Sequence, residues 1–174
     1  NNDWFEVGRP KIVVLVWYVF NTMVLNSYLI PISFLKRVLL RVFGAEIGKG
    51  VVIKPKVNIK YPWKLRVGDN TWIGENVWID NLDLVEIGAN VCISQGALIL
   101  SGNHDYTNPS FNLIVKPIRI EEGVWIGAKS IVTQGVICKS HSILSVNSVA
   151  NGNLEAYSIY KGNPAEKIRD RELG

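Results

Sequence analysis

Histidine and cysteine are scarce in this sequence, and each scarcity excludes a class of protein. Two cysteines among 174 residues cannot build the disulfide framework of a small secreted fold, so a reducing, cytoplasmic setting is expected. Two histidines, His104 and His141, cannot by themselves supply a three-histidine zinc site. We therefore expect no metal.

Strong charge of one sign is also lacking. The formal net charge is +4, which is too weak to argue for nucleic acid but is compatible with a phosphorylated ligand. A hydrophobic content of 48% with 20% charged residues indicates a folded chain. The length suits one domain with a sizeable core.

A long uninterrupted apolar run is missing too, although residues 10–43 come close to one. The stretch from Ile12 to Ile32 is mostly apolar but is broken by Asn21 and Pro31, and a basic amphipathic segment follows it. A membrane-spanning helix needs about 20 apolar residues, so a complete span is disfavoured. Two interpretations stay open: a helix pair packed on the main domain or on a partner subunit, and a peripheral helix on the membrane surface.

A six-residue repeat takes over from residue 47 and organises the rest of the chain. Two residues are inserted after every third repeat at first, and fifteen are inserted between Ile99 and Ile120. The fifteen anchor positions are Ile47, Ile53, Ile59, Val67, Ile73, Ile79, Ile87, Ile93, Ile99, Ile120, Ile126, Val132, Cys138, Leu144 and Ala150.

Two further columns follow the same period. The residue two positions before each anchor is apolar or small, so both residues point to one side of a strand. Three positions after the anchor stand residues that tolerate positive φ. These are Gly50, Asn70, Asn76, Asn90, Gly96, Gly102, Gly123, Gly135, Asn147 and Asn153, and His141 occupies the same column as a turn residue. Three such corners per coil predict a mainly β fold, a triangular parallel β-helix.

The residue before each anchor points outward and defines three faces. Face one has alternating charges at Glu46, Arg66, Glu86 and Arg119, followed by Ile137, and suits solvent. Face two is Val52, Trp72, Cys92, Trp125 and Ile143, and face three is Asn58, Trp78, Leu98, Ile131 and Val149. Two largely apolar faces predict burial against other subunits or under the N-terminal segment.

The repeat resembles the hexapeptide-repeat acyltransferases over about residues 44–170. The segments FGAEIGKGVVIKP, YPWKLRVGDNTWIGENVWIDNLD and SGNHDYTNPSF are similar to the colanic acid and exopolysaccharide acetyltransferase branch. The resemblance implies a left-handed coil, a homotrimer with active sites between subunits, and acetyl transfer from acetyl-CoA to a sugar hydroxyl in surface polysaccharide biosynthesis. It further suggests a lipid-linked acceptor and a peripheral position at the inner face of the membrane.

We expect three parts in the chain: residues 1–43 as an N-terminal hydrophobic and amphipathic helical segment, 44–155 as the β-helix with a loop at 101–117, and 156–174 as a CoA-proximal tail. His104 begins the large loop, where irregular structure on a rigid scaffold favours function. An imidazole suits the general base that deprotonates a sugar hydroxyl, and the resemblance places the family's catalytic histidine here.

Other site residues are weaker predictions. By resemblance, Asn81 and Asp83 contact the acceptor sugar, although a plain surface bulge is an equal alternative. Asp105 is a candidate to orient His104, and Tyr106 to stack on a sugar ring.

CoA is expected in the groove between subunits near the C-terminal coils. The residues implied by resemblance are Trp125, Gly127, Ala128, Asn147, Ser148, Lys161, Gly162, Asn163, Pro164 and Lys167, with Arg169 as a further cation for phosphate. A solvated basic tail is the alternative for these lysines. Neither cysteine is expected to be a nucleophile, so the hypothesis is direct transfer through a ternary complex.

Three alternatives compete with this function. A β-helical zinc hydratase needs three histidine ligands, and a nucleotidyltransferase needs a nucleotide-binding domain that residues 1–44 cannot form. A non-catalytic β-helix scaffold is the alternative from another class, and it would not require the loop at 101–117.

Overall fold

The two inward columns of the repeat form the core of the molecule. The structure is a computed structural model that describes residues 4–172. All fifteen anchors and all residues two positions before them are buried. Apolar side chains therefore fill the coil from Ala45 to Ala150, and burial of this surface is the main driving force for the fold. The predicted parallel β-helix is confirmed.

The strands are short and follow the repeat. Their bounds are β1 Glu46–Ile47, β2 Val52–Ile53, β3 Asn58–Ile59, β4 Leu65–Val67, β5 Trp72–Ile73, β6 Trp78–Asp80, β7 Val85–Ile87, β8 Cys92–Ile93, β9 Leu98–Leu100, β10 Gly102–His104, β11 Leu113–Val115, β12 Ile118–Ile120, β13 Trp125–Ile126, β14 Ile131–Val132, β15 Ile137–Cys138, β16 Ile143–Leu144, β17 Val149–Ala150, β18 Ser158–Gly162 and β19 Ala165–Asp170.

Three parallel sheets form the sides of the coil. Their strand orders are β1-β4-β7-β12-β15 for face one, β2-β5-β8-β13-β16 for face two, and β3-β6-β9-β14-β17 for face three. The register pairs each anchor with the anchor of the next coil, as in Ile53 with Ile73 and Ile73 with Ile93. The three outward columns therefore stack as the sequence predicts.

Left-handed backbone marks most of the predicted corners. Positive φ occurs at Gly50, Asn70, Asn76, Asn90, Gly96, Gly123, Gly135, Asn147 and His141. The prediction is wrong at Gly102, which lies in strand β10, and at Asn153, where the chain leaves the coil. Lys56 and Lys129 take the same conformation, with φ of 60° and 57°, although lysine gives no sequence signal for it.

The N-terminal segment covers the open end of the first coil. It consists of α1 Lys11–Phe20, a π-helical segment Asn21–Leu25 and α2 Ser33–Val42. Trp17, Leu25 and Leu40 are buried in the same apolar cluster as the coil. A helix pair packed on the main domain is therefore present in the single chain. Within residues 4–172, neither helix has the length and apolar content needed to cross a membrane.

The C-terminal segment closes the other end. Strand β18 extends face two by pairing with β16, and β19 returns antiparallel to β18. The expected tail is thus an ordered hairpin that continues the β-helix.

Candidate functional site

The fifteen-residue insertion forms an antiparallel hairpin that leaves the coil between faces three and one. Strands β10 and β11 pair His104 with Leu113 and Gly102 with Val115. Ladder hydrogen bonds fix the base of the hairpin, and its tip spans residues 105–112. A functional side chain at the end of β10 is therefore positioned by regular structure, where the sequence predicted only a loop.

The His104 side chain is exposed, and a backbone carbonyl fixes its ring. Its Nδ1 lies 3.1 Å from the carbonyl oxygen of Phe111. A carbonyl oxygen only accepts hydrogen bonds, so Nδ1 must carry the hydrogen, and in the neutral ring Nε2 then carries the lone pair. This tautomer is the one that a general base requires, with Nε2 available to take a proton.

The Phe111 ring packs on the imidazole as well. The two rings are nearly parallel, with centroids 4.7 Å apart and an interplanar angle of 9°. Phe111 has φ of 47°, a left-handed conformation that costs a non-glycine residue about 1–3 kcal/mol. The hairpin therefore holds Phe111 in an unfavourable backbone state, in which its carbonyl and its ring both contact His104.

Sequence reasoning missed Phe111, and no local signal points to it. Phenylalanine does not favour positive φ, and the residue lies seven positions from His104 in an irregular segment. Only the closed hairpin brings the two together.

Asp105 does not take the orienting role that was predicted for it. Its Oδ1 accepts hydrogen bonds from the Thr107 hydroxyl at 2.6 Å and from the Thr107 backbone N–H at 3.0 Å. These bonds lower the pKa of Asp105 and commit its carboxylate to the turn. Phe111 orients the imidazole instead. Tyr106 is 84% exposed beside this turn, and its stacking on a sugar ring stays a prediction.

Asn81 is a structural residue, which corrects its predicted contact with sugar. Its side chain is fully buried, and its amide donates to the carbonyls of Tyr61 and Lys64 and accepts from the Tyr61 N–H. All of these partners belong to the preceding corner of the coil. With its hydrogen bonds used in this way, the amide ties two successive coils together.

Asp83 lies two residues further on, at the base of the hairpin. It is half-buried, its Oδ1 accepts the Leu84 N–H at 2.7 Å, and its own N–H donates to the hydroxyl of Ser101. Ser101 directly precedes β10. The structure thus connects Asp83 to the base of the strand that ends in His104, and its contact with the acceptor stays a prediction.

A groove on the C-terminal part of face two brings predicted CoA residues together. It has a volume of about 500 Å³. Its lining residues are Trp125, Ile143, Ser145, Val146, Ile159, Lys161, Ile168 and Arg169. Apolar walls with two cations suit a ligand that combines an aliphatic chain with phosphates.

Ser148 is fixed inside the coil, and its predicted CoA contact is corrected. It is 1% exposed, and its hydroxyl donates to the Val146 carbonyl and accepts the Gly162 N–H. Gly127 is also buried, and a Cβ there would lie 2.5 Å from the backbone nitrogen of Val146. Close packing of two coils is therefore a sufficient reason for glycine at this position.

The remaining predicted CoA residues lie on the surface near the groove or in the hairpin turn. Ala128 is half-buried, and its carbonyl accepts the N–H of the exposed corner residue Asn147. Gly162 ends β18, and Asn163 and Pro164 connect it to β19. Lys167 pairs with Asp170 at 2.7 Å, which raises the pKa of Lys167. Its ammonium group is therefore charged near the groove but shared with a carboxylate.

Neither cysteine is suited to form an acyl-enzyme. Cys138 is fully buried, and burial, helped by Glu121, raises the pKa of its thiol to about 12. Cys92 is half-buried between Trp72 and Trp125 on face two. Within residues 4–172, no three side chains of histidine, cysteine, aspartate or glutamate are grouped in a way that would hold a metal ion.

Comparison with known proteins finds an acetyltransferase of similar sequence. No family model matches the sequence. It is 41% identical over 133 residues to the putative colanic acid biosynthesis acetyltransferase WcaF of Escherichia coli (strain K12), covering 76% of this chain and 73% of that protein.

Solved structures share the fold. The hexapeptide-repeat-containing acetyltransferase VCA0836 from Vibrio cholerae superposes with a TM-score of 0.84 at 25% identity, covering 94% of this chain and 93% of that one. Its complex with acetyl coenzyme A, from Vibrio cholerae O1 biovar eltor, gives a TM-score of 0.83 at 24% identity, covering 94% of this chain and 89% of that one.

Proposed function

Since this chain belongs to the hexapeptide-repeat acetyltransferases, we propose that it transfers an acetyl group from acetyl-CoA to a sugar hydroxyl in surface polysaccharide biosynthesis. The name of its Escherichia coli relative refers to colanic acid biosynthesis, and the Vibrio cholerae neighbour is complexed with acetyl coenzyme A. The observation that carries the proposal is the exposed imidazole of His104, whose Nδ1 contacts the carbonyl of Phe111.

In the proposed reaction, His104 acts as the general base. Nε2 takes the proton from the sugar hydroxyl while the hydroxyl oxygen forms a bond to the acetyl carbon. The carbon–sulfur bond breaks, and the imidazolium returns the proton to the departing sulfur. The Phe111 carbonyl keeps Nδ1 protonated throughout, so the ring does not have to turn between accepting and donating the proton.

The groove beside the C-terminal hairpin is the proposed CoA site. Trp125, Val146 and Ile159 offer apolar surface to the pantetheine chain, and Lys161 and Arg169 offer cations to phosphate. Ala128 and Asn147 border this face in two successive coils, after β13 and β16. The acetyl group then passes directly to the sugar, because Cys138 is buried and Cys92 lies half-buried between two tryptophan side chains, so neither thiol is placed for covalent catalysis.

A homotrimer is proposed to complete the site between subunits. Trp72, Trp78 and Trp125 are each 44–45% exposed on faces two and three. Burying these rings against a neighbouring prism would remove large apolar surface from water. Light scattering is expected to give a mass of three chains, and a monomer at micromolar concentration would contradict this arrangement.

The acceptor is proposed to be a lipid-linked sugar that the enzyme meets at the inner face of the cytoplasmic membrane. Two free cysteines fit the reducing cytoplasm. The N-terminal segment exposes many apolar side chains at the end of the coil, and this supports contact with a membrane surface.

The test is mass spectrometry of products formed from acetyl-CoA with a panel of sugar nucleotides and lipid-linked oligosaccharides. We expect an added acetyl group on one acceptor class with the wild-type protein and none with His104→Ala. Thermal unfolding of both proteins controls for folding. No transfer to any acceptor, with CoA binding also absent, would instead support a non-catalytic scaffold.

A further inference from the structure

Helix α2 presents its polar side chains to the coil, which is the reverse of an ordinary amphipathic helix. Ser33, Lys36, Arg37 and Arg41 of α2 all bond backbone groups of the first coil. Lys36 is fully buried, and its ammonium group donates to the carbonyl of Lys54 at 2.8 Å. The polar side of α2 is therefore occupied by the protein itself.

These contacts take the place of the hydrogen bonds that a further coil would make with the first coil. Each first-coil strand has an open edge at its anchor, and each anchor is bonded by a side chain of the N-terminal segment. Arg41 donates to the Ile47 carbonyl, and the Ser33 hydroxyl bonds both the N–H and the carbonyl of Ile53. Unpaired edge groups would otherwise attract another chain, so the segment functions as a cap.

The cap also bonds the third strand through α1 and the π-helical segment. The Trp17 Nε1–H donates to the Ile59 carbonyl at 2.9 Å, and Asn21 accepts the Ile59 N–H. Hydrogen bonds between coils run along the axis of a β-helix. The side chains that bond the first coil therefore lie at the end of the prism. The opposite side of the helices faces away from the coil.

That outward side is apolar along α2. The exposed residues Phe34, Leu35, Val38 and Val42 recur at helical spacing and share one face. Val42 is 75% exposed. Because the polar face is already bonded to the coil, these residues form the surface of α2 that remains for solvent or a partner.

Helix α1 continues the same pattern. Ile12, Leu15, Val19 and Met23 are all exposed and lie on one helical stripe, opposite the buried Trp17. Leu29, in the connection between the helices, is 87% exposed. We call the exposed apolar side chains of residues 12–42 the cap surface.

The charged residues inside the N-terminal segment have one sign. Between the exposed Glu6 and Glu46 the sequence contains five lysine or arginine residues and no aspartate or glutamate, and three of the five, Lys36, Arg37 and Arg41, bond the first coil. Arg9 and Lys11 are exposed at the start of α1. An apolar surface with exposed cations at one border is complementary to an anionic bilayer, in which headgroups lie above the acyl chains.

We propose that the cap surface docks on an anionic lipid bilayer, with its apolar side chains at the acyl boundary and Arg9 and Lys11 among the headgroups. Side-by-side packing of prisms covers the lateral faces and leaves this end free. The docking follows from the cap alone and does not require acetyl transfer. It would bring the enzyme to the surface that holds the lipid-linked acceptor of the proposed function.

The test is co-sedimentation of the full chain with vesicles, comparing phosphatidylcholine alone with an equal mixture of phosphatidylglycerol and phosphatidylcholine. We expect binding to the anionic vesicles and about tenfold weaker binding of the Leu29→Glu/Leu35→Glu variant, because two carboxylates would enter the acyl boundary. Salt is expected to weaken the wild-type interaction.

Asn151→Glu/Ala156→Glu is the charge-matched control, because both residues are exposed at the C-terminal end of the coil and lie outside the cap and the proposed site. It is expected to bind vesicles as the wild type does. Equal binding of the wild type to both vesicle types, or unchanged binding of the double variant, would overturn the proposal. So would light scattering without lipid showing a larger assembly for the wild type than for the double variant, since a second copy would then cover the cap.

Thermal unfolding shows whether the double variant is folded. Acetyl transfer to a water-soluble acceptor separates the two proposals. Lost vesicle binding with retained transfer supports docking through the cap. Vesicle binding by a wild-type protein without transferase activity would leave the docking intact and reject the proposed function.

Discussion

The two histidines of this chain have nearly the same neighbours and different positions in the fold. His104 stacks on Phe111 at 4.7 Å and 9°, and His141 stacks on Tyr157 at 4.8 Å and 3°. Both aromatic partners have left-handed backbones, with φ of 47° for Phe111 and 50° for Tyr157. The contact between imidazole and aromatic ring therefore does not distinguish the histidine proposed as general base from a structural one.

The backbone around each histidine makes the difference. His141 is itself a corner of the coil, with φ of 60°, and its carbonyl accepts a hydrogen bond from Arg171. His104 ends a strand that projects from the coil, and its ring is tied through Nδ1 to Phe111. A ring fixed at one nitrogen and exposed at the other suits proton transfer, whereas a residue that shapes a corner contributes to stability.

The largest expected effect is on kcat, and it distinguishes the proposed general base His104 from the corner residue His141. His104→Ala is expected to lower kcat about 100-fold or more, the scale of a lost general base. The matched control is His141→Asn, because asparagine accepts the left-handed corner that His141 occupies. Steady-state kinetics should leave this control within about twofold of the wild type.

A second pair of variants tests the stacking rings. Phe111→Ala removes the ring but keeps the carbonyl that bonds His104, so we expect kcat to fall by about tenfold, with KM for acetyl-CoA little changed. Phe111→Tyr keeps the ring and should restore most of the rate. A purely structural role would lower the unfolding temperature without this selective loss in kcat.

The corresponding change at the other stack is Tyr157→Ala. It is expected to lower the unfolding temperature while leaving kcat near the wild-type value, because Tyr157 packs on a corner residue. If kcat fell as far as in Phe111→Ala, the distinction between the two stacks would be lost.

The smallest expected effect on turnover is at Asn81. Asn81→Ala leaves the Tyr61 N–H and the Lys64 carbonyl without the hydrogen bonds that Asn81 supplies, and it should cost about 1–3 kcal/mol of unfolding free energy. Denaturant unfolding measures this loss, and KM for the acceptor should not change. A large rise in KM for the acceptor in Asn81→Ala would instead support a direct contact between Asn81 and the sugar.

Asp83→Asn is the counterpart of this variant. It is expected to keep the unfolding free energy near the wild-type value and to raise KM for the acceptor.

Much of the coil could be predicted because its rules are local. An apolar residue every six positions and a small or apolar residue two before it describe fifteen repeats without knowledge of distant partners, and a corner residue three after the anchor marks most of them. The exceptions are also physical. Lys56 and Lys129 take left-handed corners because the stacked coils impose the turn on residues that do not favour it.

Contacts across the fold could not be predicted in the same way. Asn81 and Ser148 are polar residues next to predicted site positions, and only burial between successive coils shows that both are structural. The cap gives the same lesson. Its sequence allowed a packed helix pair or a membrane-surface helix, whereas the folded cap is packed on the coil through its polar side and exposes its apolar side.

The order of amino acids is enough to predict the triangular coil, the three outward columns and the place of the single large insertion. Each of these follows from side chains that repeat at fixed spacing along one strand path. Tertiary structure decided the tautomer of His104, the strained backbone of Phe111 and the inverted polarity of the cap. These features depend on hydrogen bonds between residues that are distant in sequence, and such bonds form only when the backbone closes around them.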